Sequence, residues 1–238
     1  MMFPRDVTET MTIKPVVYIA FIAITLVLAP GALQGQDRDF QTWWEFEFDR
    51  SLGGSIQLEG ELEQRFKGNS LQYDRTLLTL GVEYDVLSWL SLSGAGRVVF
   101  VANRDGLVYP RYRIHFDATG SYKLSGFTFS FRTRMQYGFE EFLYFGDLQQ
   151  NSLVSRNRLK ARYHFFGTRF SCFAALESWH NLSRLPDPAF VHMRYQAGVS
   201  FAPSFRSTFT LRYLFEDEFN VNNPDQLHIL VVGYAHSF

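Results

Sequence analysis

Charged side chains recur at every second position along much of this 238-residue chain, a spacing that puts them on one face of an extended backbone. Glu45, Glu47, Glu59, Glu61, Glu63 and Glu83 form an acidic set. Further along, Arg111, Arg113, Arg132, Arg134, Arg156, Arg158, Lys160 and Arg162 form a basic set. Rows of this kind support two chemistries. Facing one another away from water they pair as internal salt bridges, because charge removed from water must be compensated. Lining a water-filled passage, the basic row draws in anions, and arginine forks suit carboxylate or sulfate groups. A filled barrel and a narrow channel for small anionic solutes therefore both stand as readings.

Other residues with chemical capacity are the six histidines, His115, His164, His180, His192, His228 and His236. A hydrolase needs a base beside a nucleophile. His180 lies close to Ser183, and His236 precedes Ser237, but neither pair sits in a nucleophile elbow. Adjacent residues of a strand also point to opposite faces. An outer-membrane lipase, acylase or protease with a rim His/Ser or His/Asp site is thus the alternative to a non-enzymatic role. The segment with Asp217, Glu218, Asn220, Asn222, Asn223 and Asp225 offers oxygens to calcium without an EF-hand pattern. No metal site is assigned, and no cofactor motif is found.

The elements that carry these rows are strands. Trp44, Phe46 and Phe48 alternate with Glu45, Glu47 and Asp49; Ile56, Leu58 and Leu62 alternate with Gln57, Glu59, Glu61 and Glu63. The same alternation returns in Leu78–Tyr84, Leu90–Phe100, Tyr109–Leu124, Phe127–Tyr137, Arg156–Phe165, Val191–Phe201, Phe209–Phe215 and Leu227–Phe238, while Arg169–Trp179 is ambiguous. Short turns and longer loops alternate between them, and no helix-period segment or second domain is seen. The predicted fold is all-β: a single antiparallel up-and-down transmembrane barrel of about ten to twelve strands, with short periplasmic turns and longer extracellular loops. About eleven strands can be counted, which conflicts with the even number usual for single-chain bacterial barrels. A soluble barrel or sandwich is the competing architecture.

Composition agrees with a barrel. Net charge is −1, with nothing to suggest a nucleic-acid partner, and aromatic residues are abundant, with 25 Phe, 12 Tyr and 4 Trp. The single Cys172 excludes an internal disulfide. Lys14, the apolar run 16–28 and small residues near Gly35 read as a secretory signal over residues 1–35, with Met11 as an alternative start. Residues 36–238 then form the barrel. The last strand, LHILVVGYAHSF, carries Leu230, Val232, Tyr234 and the terminal Phe238 in one row. This resembles the C-terminal signature that the barrel-insertion machinery reads, which implies export past periplasmic chaperones to a Gram-negative outer membrane. There, lipid and lipopolysaccharide are the surrounding partners. The exposed aromatic stretch Phe139–Phe145 is expected to fold back over the barrel mouth.

The segments WWEFEFDR, EGELEQRF, RYRIHFDATGSYKL, RTRMQYGFEEF, RNRLKARYHF and GYAHSF together resemble an uncharacterised, DUF2490-like family of outer-membrane barrels frequent in Bacteroidota. The resemblance covers nearly all of residues 36–238. It implies fold and location and supplies no catalytic residues. Through the lumen arginines there is a weaker resemblance to small oligosaccharide- or anion-specific porins.

Overall fold

The computed structural model describes residues 38–102, 106–139, 152–183, 189–220, 224 and 226–238. Among them are eleven strands: β1 (Arg38–Gly53), β2 (Ile56–Lys67), β3 (Gln72–Leu87), β4 (Leu90–Ala102), β5 (Val108–Leu124), β6 (Phe127–Phe139), β7 (Ser152–His164), β8 (Phe170–Asn181), β9 (Ala189–Phe201), β10 (Ser207–Glu218) and β11 (Gln226–Ser237). Each pairs with its sequence neighbours, and β1 pairs with β11 to close a barrel. Residues 1–35, expected to be a secretory signal, and most of the Phe139–Phe145 stretch lie outside the described residues.

The count settles the parity question in favour of eleven and corrects one expectation. In an up-and-down barrel with an odd number of strands, the first and last run the same way. The closing pair is therefore parallel, in register from Arg38 opposite Gln226 to Asp49 opposite Ser237, and every other pair is antiparallel. Parallel ladders hydrogen-bond only slightly less well than antiparallel ones, so closure satisfies both edges. The start of β1 and the end of β11 consequently lie at opposite ends of the barrel.

At one end the connections are short, at 54–55, 88–89, 125–126, 165–169 and 202–206; at the other they fall at 68–71, 103–107, 140–151, 182–188 and 219–225. The β1–β2 turn needs left-handed backbone at two successive positions, and Gly53 and Gly54 supply it at φ 102° and 61°.

Alternation decides the two faces. Leu80, Phe116, Phe131 and Leu159 point outward and are more than half exposed, at 58%, 64%, 51% and 54%. The intervening residues point inward and are buried although charged, among them Glu63, Asp117, Arg134, Arg156 and Arg194. That is the reverse of a soluble barrel and matches one surrounded by lipid. The lumen also contains an apolar patch beside the β1–β11 seam, where Trp43, Leu214, Ile229 and Val231 pack together with Leu227.

Candidate functional site: the charged lumen

The inward rows enclose a cavity of about 940 Å³. Because a strand repeats every two residues, each strand delivers its charges at a fixed height, and long side chains reach over intervening strands to meet.

The densest meeting point is Glu177 on β8, which is 1% exposed. Arg132 from β6 donates to its Oε1 at 2.9 Å and Arg156 from β7 to its Oε2 at 3.0 Å. Arg194 from β9 approaches Oε2 at 3.5 Å. Beside this hub Asp117 on β5 accepts a two-pronged contact from Arg134, at 2.7 and 2.6 Å. Glu216 on β10 accepts from Arg194 at 2.8 and 2.5 Å. The Arg156 and Arg194 guanidiniums also lie over the Trp179 ring, at 4.0 and 5.0 Å. Cation–π contact adds to the attraction in a desolvated setting.

A second set of pairs holds the acidic side. Arg97 on β4 reaches across β3 to Glu61 at 3.0 Å and also donates to Thr79. Arg212 reaches across β11 to Glu45, and Arg65 pairs with Glu63 while stacking on Trp43 at 3.6 Å. Asp74 takes Arg75 and Lys67. Most of these groups are at mid-height or in the half of the barrel nearer the long loops, where they line the cavity.

Other inward charges are held differently. Glu47, Glu59 and Glu83 line the cavity from β1–β3, and Arg158, the register partner of Glu177, and Lys160 line it from β7. Among the described residues none of these five has an ion-pair partner; Glu83 accepts only the Ser91 hydroxyl, and Lys160 rests over the Phe173 ring at 4.5 Å. Glu47 is exposed although it points inward, and with Glu59 and Glu83 it forms an acidic wall facing the basic one across the cavity.

Of the basic residues picked out from sequence, Arg113, Arg132, Arg134, Arg156, Arg158 and Lys160 line the cavity, as do all six acidic ones. Arg162 does not; it is exposed near the short-turn end, 5.9 Å from the Phe173 ring. Arg111 also falls outside the cavity wall. Both lie at the extremities of their strands, where the inward row has already passed the chamber.

Sequence reasoning missed Glu177, the residue on which the hub turns, and did not gather Arg97, Asp117, Arg194, Arg212 and Glu216 into the site. The segregation of acidic early strands from basic middle strands is consequently incomplete, since Asp117, Glu177 and Glu216 sit among the arginines. Their signal was available in one respect only: each falls on the inward parity of its strand.

The other candidates disperse. Ser183 accepts from the Leu153 N–H, whereas the His180 ring lies against Phe190 at 5.5 Å. His236 and Ser237 face opposite ways; His236 Nδ1 is 3.2 Å from Ser207 Oγ, and Ser237 donates to Asp49. No carboxylate hydrogen-bonds to His236 among the described residues. Asp217 and Glu218 belong to β10 rather than to a loop, and Asn220 donates to the Phe190 carbonyl; Asn222, Asn223 and Asp225 lie outside the described residues. On β11, Leu230, Val232 and Tyr234 occupy the outer parity and Phe238 is 70% exposed. The outward His228 is held by the Tyr213 hydroxyl at 2.5 Å. Cys172, a free thiol, shares that outer face.

The fold and its rows define a class, the closed β-barrel that is apolar outside and charged within, as membrane-spanning barrels are built. Within that class the chain belongs to the family described as "Protein of unknown function (DUF2490)", whose model matches residues 40–228. No curated protein matches the chain. Among solved structures, the β domain of the Bordetella autotransporter BrkA is similar at 12% identity and a TM-score of 0.43, over 79% of this chain and 86% of that one. That likeness is too slight to bear on topology or function.

Proposed function

We propose that the protein is a non-enzymatic barrel of a Gram-negative outer membrane. In this reading it is delivered by a secretory signal over residues 1–35 and inserted through the terminal row Leu230, Val232, Tyr234 and Phe238. Lipid and lipopolysaccharide surround its apolar exterior. The short turns face the periplasm and the long loops face outward, as in other such barrels. Its lumen is a narrow conduit for small anionic solutes, constricted at the Glu177 hub.

The observation that carries this reading is the continuous basic wall that β6, β7 and β9 present to the lumen. Arg132, Arg156 and Arg194 converge on Glu177, with Asp117 and Glu216 also taking Arg132 and Arg194, and Arg158 and Lys160, which have no ion-pair partner among the described residues, continue the same wall. A basic wall in a low-dielectric passage attracts anions to its side of the lumen. The side chains crossing the lumen limit their size, as expected of a barrel too small for a wide channel.

Liposome swelling tests it. Vesicles containing the folded protein should admit small organic anions faster than neutral or cationic solutes of equal size. Replacing Arg158 and Lys160 together with alanine should remove most of that preference. Equal rates for all three solute classes would refute the anion assignment.

A further inference from the structure

We propose that His192, Glu216 and Glu218 form a binding site for one divalent transition-metal ion at the long-loop mouth of the lumen.

The site follows from strand geometry. Glu216 and Glu218 are two apart on β10, so both carboxylates project into the lumen on the same row. The neighbouring strand places His192 directly opposite Glu218 and Arg194 opposite Glu216. His192 is thereby brought against both acids. Its Nδ1 lies 3.5 Å from Oε1 of Glu216 and 3.5 Å from Oε1 of Glu218, and the three ligand atoms all lie within 4.8 Å of one another.

Those separations suit coordination better than hydrogen bonding. Zinc binds imidazole nitrogen and carboxylate oxygen at about 2.0–2.2 Å in tetrahedral geometry. Ligand atoms around such an ion are then roughly 3.3–3.6 Å apart, a span fixed by those bond lengths. Two of the three edges already have that length. A hydrogen bond to a carboxylate would instead draw the nitrogen to about 2.7–2.9 Å.

Independently, Nδ1 of His192 is buried and makes no hydrogen bond, although it points between two carboxylate oxygens. A lone pair aimed there is repelled, and an N–H aimed there would be expected to bond. A cation between the three atoms resolves the conflict.

The surroundings are those of a supported metal site. Arg194 donates twice to Oε2 of Glu216, which fixes that carboxylate and leaves Oε1 turned to the histidine. The Trp179 ring meets the imidazole edge-on at 5.2 Å and sets its plane. Partners of this kind orient ligands and raise affinity.

The donor set also selects the ion. One imidazole and two carboxylates fall short of the six to eight oxygens that calcium takes. Imidazole suits zinc, copper, nickel and iron. Three protein ligands leave a coordination position facing the lumen. Nothing in this inference depends on the anion-conduit reading.

The test is calorimetric titration of the folded protein in detergent with zinc chloride, repeated with cobalt chloride and followed by visible absorption. One equivalent should bind, with the intense d–d bands of tetrahedral cobalt. His192→Ala and Glu218→Gln should each weaken zinc binding at least tenfold, whereas Glu47→Gln, which alters a carboxylate elsewhere in the lumen, should not change it. Heat-modifiable gel migration of each variant confirms that the barrel is intact. Failure of the folded wild type to bind zinc would overturn the proposal, and so would binding that His192→Ala and Glu218→Gln leave unchanged. In that case the cluster is an internal polar contact between the two strands.

Discussion

At the scale of single residues, the molecule turns on Glu177. Three guanidiniums converge on it, so its loss strands positive charge in a closed interior. Removing one partner of a buried ion network typically costs about 3–5 kcal/mol. Glu177→Gln, which keeps the shape and deletes the charge, should lower the urea midpoint of the folded barrel by a corresponding amount, measured from the gel shift between folded and unfolded forms. An unchanged midpoint would show that the arginines are compensated elsewhere. The hub was hidden in the sequence for a physical reason. The inward row of β8 reads Ser171, Phe173, Ala175, Glu177 and Trp179, so polar and apolar residues occupy the same face and alternation is lost. The neighbouring rows, where arginine alternates with Phe or Leu, were legible because their chemistry and their parity agree.

The same contrast holds among the elements. Nearly all strands and turns could be read because one face meets an apolar medium, which enforces alternation over the whole strand length. Strand pairing across the closure could not be read, since the pattern of β1 is the same whichever edge it meets. Two changes probe this scale. Gly60 on β2 lies opposite Phe48 on β1, and a Cβ at that position would come within 2.0 Å of the Phe48 ring. The aromatic ring covers the glycine on the outer face, as used to stabilise glycines in designed sheets. Gly60→Val should displace the ring and destabilise the barrel by about 1–3 kcal/mol, seen as a lower urea midpoint. A neutral effect would mean that Phe48 turns away freely. The parallel seam has its own test. With Cys172 replaced by serine, a Trp44→Cys, Val232→Cys pair should form a disulfide across β1 and β11, because the two positions are register partners and strand neighbours lie within disulfide reach. Failure to cross-link under oxidation, with the barrel folded, would contradict the parallel closure.

For the whole molecule, two features combine: an outer surface of Leu, Phe and Tyr, and a charged lumen in which some side chains are paired and others are not. The class follows from the first, the family from the match over residues 40–228, and the conduit reading draws on the second. The sequence carried the sign of each wall but not which charges cancel, since pairing depends on side chains that cross over an intervening strand, such as Arg97 to Glu61 and Arg212 to Glu45. Only what is left after pairing sets the field that a solute meets. On the basic side that remainder is Arg158 and Lys160, and on the acidic side Glu47, Glu59 and Glu83. The measurement that bears most directly on this account is single-channel recording of the folded protein in a planar bilayer under a salt gradient. Small conductance steps that are selective for anions, and that lose selectivity when Arg158 and Lys160 become alanine, are the result expected of a conduit constricted at Glu177. A cation-selective pore, or no conductance from protein that shows heat-modifiable migration, would contradict it.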